Sequence, residues 1–237
     1  MNATKMCAAS AVAFLALAGN AMAQGGQPGI SISKMIVDSG FVGWVLVLLS
    51  VVALALVIEA YVSLKRDKLA PPELIDEVQA LFDESQYQEA MELCEDQPTF
   101  FTKICAAGIA KVGHDYEVMV KAMEEMGDEQ TIRLHQKIGY IALCANVAPM
   151  LGLLGTVWGM IVSFQMIAAS QGQATPAELA FGISQALLTT LFGLMVAIPS
   201  TAAFIYLRNG VVRSTIEVGA IIEDLFERFR PKQAGAR

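Results

Sequence analysis

Charge is what this chain lacks most. Of its 237 residues only 16% are charged and 55% are hydrophobic, whereas a soluble domain carries about a quarter charged residues. Nearly all the charge falls in three blocks, near residues 59–137, 208–217 and 223–237, with long uncharged stretches between them. That is the pattern of a chain divided between lipid and water. A net charge of −7 with no basic patch excludes a nucleic-acid partner. Cysteine and histidine are scarce too. Cys7, Cys94, Cys105 and Cys144 show no metal-ligand spacing, and His114 and His135 stand apart, so neither a disulfide framework nor a metal centre is indicated. The thiols read as small buried or free groups. No nucleophile–base pair or phosphate loop points to an enzyme, and no cofactor is implied.

What is present is apolar helix. Lys5, the run Ala8 to Ala18 and the small-x-small triplet Ala21-Met22-Ala23 form a secretory leader, too short to span a hydrocarbon core of about 30 Å. Residues 1–23 are therefore expected to be a cleaved signal peptide, with 24–40 as an outer, periplasmic segment; the alternative is an uncleaved anchor that adds a fourth span. The first span covers 41–64, with Trp44 and Tyr61 where aromatic belts form. Lys65, Arg66 and Lys68 follow at once, which places that end in the cytoplasm. The second and third spans, 138–169 and 179–207, are charge-free and longer than the roughly 20 residues a bilayer needs. The loop 170–178 lacks Lys and Arg and belongs outside, with Glu178 at a helix start. Residues 65–137 form a cytoplasmic helical region and 208–237 a cytoplasmic tail. Within 65–137, Pro71-Pro72 starts a helix, breaks fall near Ser85, Pro98 and Gly113, and the helix from Tyr116 continues unbroken into the second span. The expected fold is all-α: an integral membrane protein with three transmembrane helices and a helical cytoplasmic extension.

Gly152, Gly155 and Gly159 recur at spacings of three and four, and so lie along one face of the second span. Small residues there let helix backbones approach closely in lipid. Pro149 and Pro199 each remove a backbone donor and are expected to shape their helices. Thr156 is either bonded back to its own helix or lines a pore. A second polar set, Gln185, Thr189 and Thr190, follows in the third span, with Ser184 beside it. Gln185 and Thr189 are four residues apart and share a face, while Thr190 lies about 100° round from Thr189. Polar groups at membrane depth face a bundle interior or water. Neither long span contains a carboxylate or a base, so these groups can line a proton path but cannot carry a proton. Glu59, at the inner end of the first span, is the alternative titratable group; otherwise it reaches the interface beside Lys65 and Arg66.

The segments IALCANVAPMLGLLGTVWGMIVSF and ELAFGISQALLTTLFGLMVAIPSTAAFIY resemble the MotA/TolQ/ExbB proton-channel family, and three spans with the large insertion after the first resemble its ExbB and TolQ members more than MotA. The resemblance implies a ring of five copies around the single spans of an ExbD/TolR-like partner whose aspartate carries the proton, with a TonB/TolA-like energy transducer possible beyond it. By motif, Thr156 and Thr190 correspond to the family's pore-lining threonines. Gln185 departs from the pattern, because the ExbB and TolQ members typically carry Glu there. The implied role is an inner-membrane subunit that couples proton-motive force to biopolymer transport or envelope maintenance; the alternatives are a non-conducting scaffold of the same fold and a MotA-like motility stator.

Overall fold

The computed structural model describes residues 40–170 and 175–230, without the side chain of Glu178. The leader 1–23, nearly all of the segment 24–40, part of the loop 170–178 and the tail beyond residue 230 lie outside the described residues. Those described form helices and no strand: α1 (Gly40–Ser63), α2 (Arg66–Leu69), α3 (Pro72–Asp83), α4 (Tyr87–Asp96), α5 (Phe100–Ile109), α6 (Tyr116–Ala169) and α7 (Pro176–Phe226), then a 3-10 turn, Glu227–Phe229. Three of these helices, α1, α6 and α7, are long and apolar enough to cross a membrane. Local chemistry explains the breaks. Pro72 takes the first turn of α3, where its missing N–H costs nothing. Ser85 sits at φ 61° and Gly113 at φ 96°, left-handed conformations that end a helix. Before α5, Thr99 and Thr102 cap each other: the Thr102 N–H donates to Thr99 Oγ1 at 3.2 Å, and the Thr99 N–H donates to Thr102 Oγ1 at 2.7 Å.

As expected from the repeat after Tyr116, α6 runs 54 residues without interruption, straight through Pro149. The third long helix goes further than its apolar stretch: α7 is 51 residues long and includes Pro199, continuing past Arg208 where the sequence reading had placed a tail of no stated structure. The signal was there. Leu207, Val211, Ser214, Val218, Ile222 and Leu225 are all buried and recur at intervals of three and four, the period of one helix face.

Contacts divide the chain into two units. Among the described residues, one comprises those from Gly40 to Val57 and those between Tyr140 and Ile205, and is described under the candidate site. The other comprises Ile58–Gly139 with the chain from Tyr206 onward. Its core gathers Val78 and Phe82 of α3, Cys94 of α4, Phe101 and Cys105 of α5, Met119 and Met123 of α6, and Val218 and Phe226 of α7. Phe82 meets Tyr87, Phe226 and Phe229 edge-on, with ring centroids 5.3–6.0 Å apart. Gly108 makes room for this cluster, since a Cβ there would lie 2.7 Å from the Phe226 ring and 2.8 Å from Met123 Sδ. At the surface Arg66 pairs with Glu217 at 3.0 Å and Arg228 with Asp83 at 2.8 Å; such exposed pairs each contribute about 0–1 kcal/mol, so the apolar core carries the fold of this unit.

Two expectations follow. Phe226→Ala removes a ring at the centre of this core and is expected to cost about 3–5 kcal/mol, measured by chemical denaturation of the detergent-solubilised chain; a loss under 1 kcal/mol would contradict the packing. The thiols give the second. Burial, then the carboxylate of Glu95, push the Cys94 thiol up from its ordinary 9.0 to about 11. Burial, then Cys94, push Cys105 well above the same value. Both should resist a maleimide at pH 8 until the chain unfolds. Because unfolded thiols ionise near 9.0 and the buried ones do not, their contribution to stability is complete below that pH and is lost as pH climbs towards 11.

Candidate functional site

In the first unit the charge-free parts of α6 and α7 meet along a stripe of small residues. Gly152, Gly155 and Gly159 face α7, as their spacing predicts, and α7 answers with Gly182, Ala186 and Gly193, a matching set the sequence reading passed over. The approach is close enough to exclude side chains. A Cβ at Gly155 would lie 2.6 Å from Thr189 Cβ, and one at Gly159 would lie 2.8 Å from Ala186 Cβ. One at Gly193 would lie 2.7 Å from the Ala148 carbonyl and 3.2 Å from Gly152 Cα. Distances below 3.0 Å cannot be met without moving a backbone, so these positions require glycine. Ser163 extends the stripe: it is buried, lies against Gly182 and donates to the Gly159 carbonyl at 2.9 Å. Regular small residues at 182, 186 and 193 were the available signal.

The two threonines of α7 converge on one backbone oxygen. Thr190 Oγ1 donates to the Gly152 carbonyl at 3.2 Å. Thr189 Oγ1 lies 3.3 Å from the same carbonyl and 2.7 Å from the Ala186 carbonyl. A hydroxyl has one hydrogen, and the shorter contact keeps that of Thr189 on its own helix. Thr189 is 2% exposed, a packing residue under Gly155. Thr190 is half-buried and is the donor that crosses between helices. Thr156 is also half-buried, and its hydrogen closes on the Leu153 carbonyl at 2.7 Å, one of the two roles foreseen for it. That bond leaves the oxygen lone pairs of Thr156 free to accept.

Gln185 sits elsewhere. Its Nε2 lies 2.9 Å from where a Cβ on Gly40 would be, at the first residue of α1, and Gly40 has φ +65°. The backbone conformation favours glycine there, and a Cβ would also press on the Gln185 amide. Gln185 and Thr190 are five residues apart, about 140° round the helix, so the amide turns towards α1 and the Thr190 hydroxyl does not. Glu59 is exposed. Pro149 is half-buried and Pro199 exposed, each within continuous helix; beside the latter, Ser200 and Thr201 donate to the Val196 and Ala197 carbonyls at 2.7 and 2.8 Å. Residues 138–169 and 179–207 contain no Asp, Glu, Lys or Arg. Chemically the site offers hydroxyl oxygens and carbonyls at depth, able to accept or pass hydrogen bonds but unable to hold a proton.

Residues 96–218 match the family model described as the MotA/TolQ/ExbB proton channel family. The chain is 38% identical over 88 residues to the Tol-Pal system protein TolQ of Pseudomonas aeruginosa, covering 37% of this chain and 38% of that one. It is 40% identical over 74 residues to the biopolymer transport protein exbB1 of Vibrio cholerae, covering 31% and 32%. The aligned segments thus span about a third of these relatives. In fold the chain is similar to the C. jejuni MotAB structure, with a TM-score of 0.50 and 17% identity over 98% of this chain and 97% of that one.

The close approach predicts that Gly155→Leu separates α6 from α7 and abolishes membrane assembly, whereas Gly139→Ala, where a Cβ meets nothing within 4 Å, leaves it unchanged. Accumulation and native-gel mobility in membranes read both, and equal behaviour of the two variants would contradict the stripe.

Proposed function

Because the chain belongs to the MotA/TolQ/ExbB proton channel family, we propose that it is the ExbB/TolQ-like subunit of an inner-membrane proton channel that couples proton-motive force to work on an envelope partner. One observation carries this reading. The two long spans approach backbone to backbone and present threonine oxygens, yet they hold no carboxylate and no basic side chain. A path built from them needs a carrier from another chain, and the partner of this proposal is a single-span, ExbD/TolR-like subunit whose carboxylate passes the proton beside Thr156 and Thr190. Each unit charge crossing 100 mV releases about 2.3 kcal/mol, so a few coupled protons suffice for a conformational step.

The oligomer in this reading is a ring of copies, five by resemblance. The outer segment 24–40 and loop 170–178 lie on the periplasmic side, and the Lys65–Arg66–Lys68 and Arg208–Arg213 ends lie in the cytoplasm, by the distribution of basic residues. The names of the relatives favour biopolymer transport or the Tol-Pal system as the task, with a TonB/TolA-like transducer as the element moved. The role is transport, not enzymatic catalysis.

The test uses the threonines. A cross-helix hydrogen bond in a membrane protein is worth about 0.6 kcal/mol, too little for assembly to depend on Thr190. Thr156→Val and Thr190→Val are therefore expected to assemble normally with the partner and to lose proton flux in reconstituted vesicles and energy-dependent function in cells. Full activity of both variants would overturn the path assignment. A non-conducting scaffold would show no flux in the parent chain or in Gln185→Glu.

A further inference from the structure

The second unit holds a recess that the channel reading does not use. It opens between α4, α5 and α6 with a volume of about 500 Å³, inside the range of about 300–1,000 Å³ found for ligand sites. Its wall is mostly apolar. Ala106 and Ala107 of α5, with Ala110 just after it, leave a gap that larger side chains would close, and Met91 of α4 and Met126 of α6 flank it. Methionine is unbranched and adapts to whatever is laid against it. Two polar side chains interrupt this wall, and both have donors to spare. Lys103 is half-buried; its ammonium donates to Gln130 Oε1 at 3.3 Å and forms no ion pair with another described residue. An ammonium has three hydrogens, and Gln130 takes one. Gln130 itself is 8% exposed, and its amide nitrogen donates only to Met126 Sδ at 3.5 Å, a weak acceptor. The spare donors of both residues lie together, and a cation drawn out of water costs free energy until an anion meets it.

We propose that this recess binds a small amphipathic monoanion, an aliphatic chain with one carboxylate, of the fatty-acid class. The chain lies along Met91, the three alanines and Met126, and the carboxylate accepts from Lys103 Nζ and Gln130 Nε2. The surroundings permit one negative charge and no more. Arg133 also lines the recess but is engaged by Glu129 at 2.6 Å. Glu95 lines it too, exposed and without an ion pair to another described residue. A dianionic phosphate head would be repelled by Glu95, whereas a carboxylate is matched by Lys103 alone in a charge-assisted hydrogen bond. All these groups lie within residues 91–133, away from the α6–α7 glycine contact, so the site stands or falls apart from the channel reading.

A photoreactive diazirine analogue of decanoic acid, added to native membranes that hold the full chain, tests this. Illumination is expected to label peptides containing Met91, Ala107 or Met126, located by mass spectrometry. Decanoate should suppress that labelling at concentrations at least tenfold below those needed with decanol or decyl phosphate. Among variants with the parent's native-gel mobility, Lys103→Met should lower the labelling at least tenfold and Lys103→Arg should retain most of it. Ala107→Trp, which fills the recess, should abolish it. Labelling confined to the apolar spans overturns the site, as does parental labelling of the Lys103→Met chain. Equal competition by decanol, or loss in Lys103→Arg as complete as in Lys103→Met, overturns the charge match on which the proposal stands. Stronger competition by decyl phosphate overturns the carboxylate. None of these outcomes bears on proton flux in Thr156→Val or Thr190→Val, which judges the channel reading separately.

Discussion

The rest of the first unit depends on two helix backbones held closer than a side chain allows. Gly155 and Gly159 on α6 and Gly193 on α7 leave no room for a Cβ and Gly152 leaves little, and in lipid this contact has no hydrophobic effect to draw it together. It gains dispersion between backbone atoms and an occasional hydrogen bond. That makes the geometry exacting, because each glycine contributes only while its neighbours keep the same spacing. It also decides what the threonines can do. Thr189 is shut into the contact and Thr190 stands at its edge, because the stripe turns one residue inward and leaves the next at the margin.

A membrane interior penalises unsatisfied polar groups, and the chain meets that penalty in two ways. The hydroxyls of Thr156, Ser163, Ser200 and Thr201 each close on a carbonyl of their own helix, so they cost little wherever they face. Charge is left out of residues 138–169 and 179–207 altogether. With no carboxylate or basic group there, the hydroxyls and carbonyls can pass hydrogen bonds but cannot hold a proton.

How much of this was legible in the sequence varies with the range of the interaction. Helix ends were readable because their causes are local: Pro72 at a first turn, Thr99 after Pro98, Gly113 at positive φ. The unbroken α6 followed from a periodic pattern that no Pro or Gly pair interrupts between Tyr116 and the second span. The extension of α7 was missed because Arg208 and Arg213 drew attention to charge, although both sit on exposed positions of a face whose other side stays apolar to Leu225. The distinct placements of Thr189 and Thr190 were beyond reach, since the Gly152 carbonyl that separates them lies 37 and 38 residues away. The meeting of Gln185 with Gly40 was more distant still. Nothing local in either residue announces it.

That meeting bears on the missing acid. A carboxylate at position 185 would stand beside the first residue of α1, where unpaired N–H groups and the helix dipole favour negative charge. The amide in this chain fills the same space against Gly40 with donor and acceptor atoms and no charge. Position 185 is thus shaped first by its contact with α1, and the change from acid to amide alters the electrostatics at the start of α1 without touching Thr156, Thr190 or the Gly152 carbonyl. About 140° of helix separates that amide from the Thr190 hydroxyl, so the two side chains of one helix face different neighbours: α1 for Gln185 and the Gly152 carbonyl for Thr190.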